Sequence, residues 1–318
     1  MTSVASATTA YRRITEACGV LDRSERGKLA LSGAEAKSFL QGQVTNDVEG
    51  LSEGEGCYAA FLTPKGKMLG DLRILDASGK LLLDTERVAL QELFNLIRRY
   101  KVGYQVELHK HTLERGLLSL IGPASDQVAG TGGLPAAEHA HAPVKIGGVG
   151  ARAIRTDVGV DLLCDAGDTE ALLGIVEAGG AVAVPESAAE ALRVERGRPR
   201  YGIDLDDAVI PEEAGLNARA VSFTKGCYVG QETVARLHYR GKPNRHLRGL
   251  LLSAAADRGA ELRVGERIVG TLTTVASSPV FGSIGLALVR REAPPGATVS
   301  VGDEGAVTAE IVELPFES

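Results

Sequence analysis

The strongest constraint on the fold is a change of pattern at Gly241-Lys242-Pro243. Beyond it the chain becomes a series of short strand-like runs: Arg248 to Ser253, Glu261 to Arg263, Arg267 to Thr274, Ile284 to Val289, Thr298 to Val301 and Ala306 to Val312. Gly and Pro punctuate them at intervals that suit a small β-barrel or sandwich. Before Pro243, helical and strand periodicities are mixed. The boundary near residue 243 divides the chain into a mixed region, 1–243, and a β-rich region, 244–318. A chain of 318 residues is long enough for two or three domains.

Within the first region, Lys28 to Leu31 reads as a strand. Ser32 is placed to N-cap a helix from Ala34 to Gln41, which Gly42 closes. The polar run Gln43-Val44-Thr45-Asn46-Asp47 follows, either as a plain turn or as a ligand loop. Tyr58 to Leu62, Met68 to Leu75 and Leu81 to Asp84 form an antiparallel meander with turns at Thr63-Pro64-Lys65-Gly66-Lys67 and Asp76-Ala77-Ser78-Gly79. Asp71 lies inside the second of these strands. The ordinary place for such a carboxylate is the solvent face; the alternative is a pocket-facing base or acceptor.

Apolar spacing predicts a helix over Val88 to Tyr100, and strands over Val102 to Leu108 and Gly116 to Ile121. The Gly-, Ala- and Pro-rich stretch Gly122 to Pro143 reads as a surface connection, and its His139-Ala140-His141 is weak evidence for metal. Two more strands, Ala151 to Arg155 and Val160 to Cys164, precede helices from Thr169 to Ala178 and Ala188 to Glu195. The loop Arg196 to Asp204 then carries three arginines and Tyr201, a composition suited either to solvent or to an anionic ligand tail.

The densest chemistry is the octet Lys225-Gly226-Cys227-Tyr228-Val229-Gly230-Gln231-Glu232. A helix is expected from Gln231 to Leu237, so Cys227 precedes a helix N-terminus with Lys225 nearby. Both features favour a thiolate. The plainer reading is a glycine turn with a buried cysteine. The other cysteines, Cys18, Cys57 and Cys164, are scattered and form no Cys-x-x-Cys pair. Local zinc or cluster spacing is therefore absent, no metal site is expected, and a reducing cytoplasm suits the chain better than a disulfide framework. The 41 acidic against 35 basic residues, with few aromatics and no Trp, argue against a nucleic-acid surface. No membrane span or secretory leader is expected.

The order of Asp22 to Lys28, Phe39 to Asp47, Leu192 to Gly197, Tyr201 to Asp204 and Ile210 to Leu216 resembles the glycine-cleavage T-protein (GcvT) superfamily. The octet resembles the signature of its YgfZ branch of folate-binding proteins. The resemblance implies an α+β, three-lobed ring ending in a β-barrel, with tetrahydrofolate, or a one-carbon derivative, in the central opening. It implies cofactor contacts from Glu195, Tyr201, Gln231 and Arg236, and functional roles for Cys227, Lys225 and Asp71. In this reading Lys225 and Arg236 lower the thiol pKa, and Glu195 accepts hydrogen bonds from the pterin edge. The implied function is support of iron–sulfur client enzymes or assembly proteins, tRNA-modifying enzymes included. No particular reaction is implied. Gly70 stands where the T-protein has one of two adjacent aspartates, which argues against the alternative, an aminomethyltransferase. A third reading is a non-catalytic scaffold with a vestigial folate pocket.

Overall fold

The computed structural model describes residues 4–302 and 307–317. The first region folds as two interleaved lobes. One is a five-stranded sheet in the order Gly56–Leu62, Met68–Asp76, Lys80–Thr85, Gly27–Ser32 and Glu107–Lys110. The other is a six-stranded sheet in the order Val182–Ala183, Gly19–Asp22, Arg115–Ile121, Gly159–Asp165, Val149–Thr156 and His141–Ile146. Each sheet buries one face against its own helices. Phe39, Leu72, Leu93 and Ile97 sit in the first core, and Leu118, Leu162, Leu172 and Val176 in the second. From Arg245 the chain closes into a six-stranded antiparallel barrel around Leu250, Leu272 and Ile311.

The meander forms as its alternation requires, with Tyr58 opposite Arg73 and Arg73 opposite Asp84. Because side chains alternate along a strand, Tyr58, Asp71, Arg73 and Asp84 share one face, turned toward the other lobe. The helix Thr169–Ala178 and the strand Thr298–Val301 have the bounds expected from their patterns. Residue 306 of the expected last strand lies outside the described residues; its described part is Val307–Val312.

Several local expectations are corrected. The first short helix is Ala36–Gln41, and Glu35, not Ser32, occupies its N-cap position, with no side-chain cap. The expected helix from Val88 starts at Leu90, leaving Val88 67% exposed. The expected strand from Val102 is a turn, and pairing begins only at Glu107, where the edge of Gly27–Ser32 becomes available. Gly122 to Pro143 is more than a loose connection: it holds the helix Ser125–Ala129 and starts the edge strand His141–Ile146. A helix not anticipated from the sequence, Val4–Glu16, packs on Glu186–Glu195.

Helix Glu186–Glu195 joins three bodies. Ala188, Ala189 and Ile14 pack together near the six-stranded sheet, while Val194 packs on Leu247, Ile284 and Leu286 of the barrel. The lobes are also cross-linked by Arg73. Its guanidinium donates to Asp84 at 2.7 Å in its own sheet and to Asp161 at 2.8 Å in the facing one. No helix is long and apolar enough to cross a membrane among the described residues.

Candidate functional site

A cavity of about 230 Å³ opens between the facing sheets. It is lined by Tyr58, Asp71, Arg73 and Asp84 from one lobe, Ser119 and Asp161 from the other, and Tyr201 from the loop after Glu186–Glu195. Seven arginines and six carboxylates reach it. Most are paired: Arg26 with Asp84 at 2.8 Å, Arg198 with Asp157 at 3.0 Å, and Arg219 with Glu138. Two buried nitrogens in this ring, Nε of Arg73 and Nδ1 of His139, have no hydrogen-bond partner among the described residues. A buried donor without a partner costs roughly 1–3 kcal/mol. Such atoms at an opening mark places where a polar ligand or water would bind.

Asp71 is the acid of the opening. It is 6% exposed, which corrects the solvent-face expectation. Its Oδ2 accepts a 2.5 Å hydrogen bond from Tyr58 Oη, and the Tyr58 ring carries the Arg219 guanidinium at 5.2 Å. Burial pushes the Asp71 carboxyl up to about 6, against the opposing Tyr58 hydrogen bond. A carboxyl titrating there exchanges a proton near neutral pH, the range in which general acid–base groups work. By contrast Asp84, although buried, is held below its ordinary range by Arg26 and Arg73. It stays an anion and serves as an anchor.

Gly70 has a packing reason. A Cβ there would lie 3.1 Å from both Leu93 methyls and 3.2 Å from Ala89. An aspartate at 70 would point into the helix Leu90–Tyr100, on the side away from the opening. The missing carboxylate is therefore the consequence of a helix packed close against its strand.

Tyr201 is buried and lines the opening, and burial raises its phenol to about 12. Glu195 is placed differently. Its Oε2 accepts from Tyr11 Oη at 2.6 Å and its Oε1 from Ser278 Oγ at 2.5 Å. It ties the N-terminal helix to the barrel and is not among the residues lining the cavity. Its ligand-anchor role was expected from a resemblance in sequence alone, with Tyr11 in an unanticipated helix and Ser278 in the barrel.

The octet lies away from the opening, against the 62–67 hairpin and the 41–47 loop. Lys225 Nζ donates to the carbonyls of Gln41, Val44 and Asn46 at 2.6, 2.7 and 2.9 Å. All three ammonium protons are used to hold backbone, so the expected Lys225–Cys227 pairing is replaced by a loop clamp. The plain-turn reading of 43–47 is also too weak. Asn46 Nδ2 bridges the carbonyls of Tyr58 and Arg219, and buried Thr45 donates to Ala220. Gly230 has φ of 86°, and a Cβ there would come within 2.6 Å of the Thr63 carbonyl. Only glycine meets both demands. The helix Gln231–Arg240 starts directly after it and presents Arg236 to solvent.

Cys227 is exposed, whereas Cys18 and Cys164 are buried and Cys57 is partly covered. Burial pushes the Cys18 thiol up to about 11 and the Cys57 thiol up to about 12. Among the four thiols, Cys227 is thus the one open to solvent.

Sequence reasoning missed several residues of the opening: Tyr58, Arg73, Asp84, Asp161, His139 and Arg219. The strand alternation around Asp71 carried a usable signal for the first three. His139 carried none, because its stretch read as a surface connection. Its imidazole is held neutral, down to about 3, by burial and then by Arg73 and Arg219. Its 3.7 Å approach to Glu138 is therefore not an ion pair.

Residues 3–225 match the GCVT N-terminal domain, and residues 245–317 match the glycine cleavage T-protein C-terminal barrel domain. A putative chloroplastic transferase of Arabidopsis thaliana is 30% identical over 93% of this chain and 71% of its own. An aminomethyltransferase of Rubrobacter xylanophilus is 28% identical, covering 96% of this chain and 85% of its own. The tRNA-modifying protein YgfZ of Colwellia psychrerythraea is 28% identical over 72% of this chain and 70% of its own. The glycine cleavage aminomethyltransferase of Bartonella henselae superposes with a TM-score of 0.87 at 22% identity, covering 100% of this chain and 91% of that one, which shows the shared fold. With both family domains matched in order along the α+β lobes and the closed barrel, the chain belongs to the glycine-cleavage T-protein family.

Proposed function

We propose that this protein binds tetrahydrofolate in the opening between its lobes and uses Cys227 to support iron–sulfur enzymes in a reducing compartment. The observation that carries the reading is the division of chemistry between two places. A buried acid, Asp71, sits in an arginine-rich opening, and one exposed thiol, Cys227, sits on a clamped loop outside it. A small-molecule cofactor fits the first and a protein client fits the second.

The residues of the opening suit a folate. Unpartnered Arg73 Nε and the paired arginines around it offer donors to an anionic tail, and Asp71 offers an acceptor to a ring nitrogen. Tetrahydrofolate, when bound, would supply a carrier for one-carbon units. This chain's part is to hold the ligand and to keep a proton at Asp71 Oδ1 or Oδ2. Tyr201 covers the opening from the loop. Glu195 works at a distance by fixing the barrel to the N-terminal helix. A single thiol does not hold a cluster alone, since four cysteines are the usual complement. Cys227 is therefore a transient ligand or nucleophile toward a client, with Gln231 and Arg236 on the adjoining helix forming the contact surface.

The relative named as a tRNA-modifying protein supports clients of that kind. The test is a strain in which Cys227→Ala replaces the wild type, with client cluster enzymes assayed under oxidative stress. Loss of client activity supports the role, and full activity removes it.

Aminomethyl transfer is the second reading, favoured by the Asp71 carboxyl near 6 and by the relatives named aminomethyltransferases. Turnover of an aminomethyl-lipoyl carrier by purified protein would establish it. Gly70 departs from the adjacent pair of aspartates that the resemblance to the T-protein implies, and this weighs against it.

A further inference from the structure

The facing sheets enclose a second space beyond the Arg73–Asp84 pair. Both of those residues line the central opening and also this cleft, so the pair forms the partition between them. The cleft has a volume of about 360 Å³, at the small end of ligand pockets. Strand alternation sets its character. Leu75 and Leu82 continue the Arg73 and Asp84 face of one sheet, and Leu117, Ile154 and Leu163 lie on the facing sheet. These make an aliphatic slot. No Phe or Tyr lines it, and His111 is the one aromatic ring among its lining residues.

The next step along the same strands puts cations at the slot's rim. Arg115 is paired with Asp165. Lys80 and Arg152 make no ion pair among the described residues; the one hydrogen bond of the Arg152 side chain is to neutral His141 Nδ1, at 2.7 Å. At the other end lies Arg73, 92% buried by its exposure of 8%, with its Nε unpartnered. An aliphatic slot whose rim carries two cations that make no ion pair among the described residues is complementary to an amphipathic anion, the charged group at the rim and the apolar part in the slot.

We propose that this cleft binds a medium-chain carboxylate, with the chain in the leucine slot and the carboxylate held by Arg152 and Lys80. The planar guanidinium of Arg152 keeps donors free for a bidentate contact with a carboxylate. Each buried CH₂ strengthens binding about fourfold, so an eight- to ten-carbon chain supplies most of the affinity. The proposal does not rest on the folate reading: the two spaces share the Arg73–Asp84 partition, and the carboxylate is assigned to Arg152 and Lys80, which line the cleft and not the central opening.

The experiment is isothermal titration of the full chain with decanoate, below its micelle concentration, and with decanol as the uncharged control. Saturable decanoate binding is expected, at least tenfold weaker for decanol and for Arg152→Met. Leu163→Trp, which fills the slot from a half-buried position, is expected to abolish it. If Leu163→Trp does not fold by circular dichroism, Arg152→Met and Lys80→Met decide, both at non-buried positions. No saturable binding by wild type, equal binding of decanol, or unchanged affinity in the folded variants would overturn the proposal.

Discussion

Tyr58 Oη and Asp71 Oδ2 are joined by a 2.5 Å hydrogen bond across neighbouring strands, inside an opening that the two lobes share. The bond orients a carboxyl that burial has already pushed up to about 6. Arg219, stacked on the Tyr58 ring, links this pair to the segment that runs on to Cys227.

The Asp71 pair sets a pH dependence. Folded, this carboxyl ionises near pH 6, against an ordinary value of 3.8 in the unfolded chain. Between those values the folded state holds the extra proton, so stability falls as pH rises from about 4 to about 6. The loss, up to about 3 kcal/mol, is complete above pH 6. Asp71→Asn removes that decline, and the variant melts higher than wild type at pH 7. Thermal unfolding across pH 4–8 measures it.

Glu195 is the seam between the N-terminal helix and the barrel. Glu195→Ala leaves Tyr11 and Ser278 without their acceptor and costs about 2–4 kcal/mol, by the usual magnitude of hydrogen bonds to charged groups. Folate affinity of the folded variant is expected to stay within a few-fold of wild type. Denaturant unfolding and ligand titration together separate the seam from an anchoring role, in which affinity would collapse first.

Lys225 is a clamp. Lys225→Met removes the donor to three backbone carbonyls and destabilises the chain by about 2–4 kcal/mol. Amide exchange then accelerates in 41–47 and in 226–230. Lys225→Arg rescues only in part, because a planar fork cannot aim three bonds at carbonyls arranged around a point.

Cys227 is the accessible thiol. In the native chain one equivalent of thiol reagent is expected to react quickly, and none in Cys227→Ser. Cys18, Cys57 and Cys164 react only on unfolding, since burial raises their pKa and shields them. A timed titration with a chromogenic disulfide reads both phases.

Much of this architecture was legible in the sequence. Strand alternation and glycine turns gave the meander, and the short runs after Pro243 anticipated a barrel or sandwich. The octet and Asp71 were recognisable as chemistry. What was not legible depends on long-range contacts. The pairing of Asp161 with Arg73 joins strands 88 positions apart, and Tyr11 meets Glu195 across 184 positions. No local pattern carries such partners. Lys225 looked like a neighbour of Cys227 because the two are close in sequence. The 41–47 loop, nearly two hundred residues upstream, claims its ammonium instead.

The most direct test of the central claim is calorimetric titration of tetrahydrofolate into the wild type, Asp71→Asn and Cys227→Ala. The opening-bound account predicts saturable binding by wild type, at least tenfold weaker binding by Asp71→Asn, and unchanged binding by Cys227→Ala. No binding by wild type, or undiminished binding by folded Asp71→Asn, would contradict it.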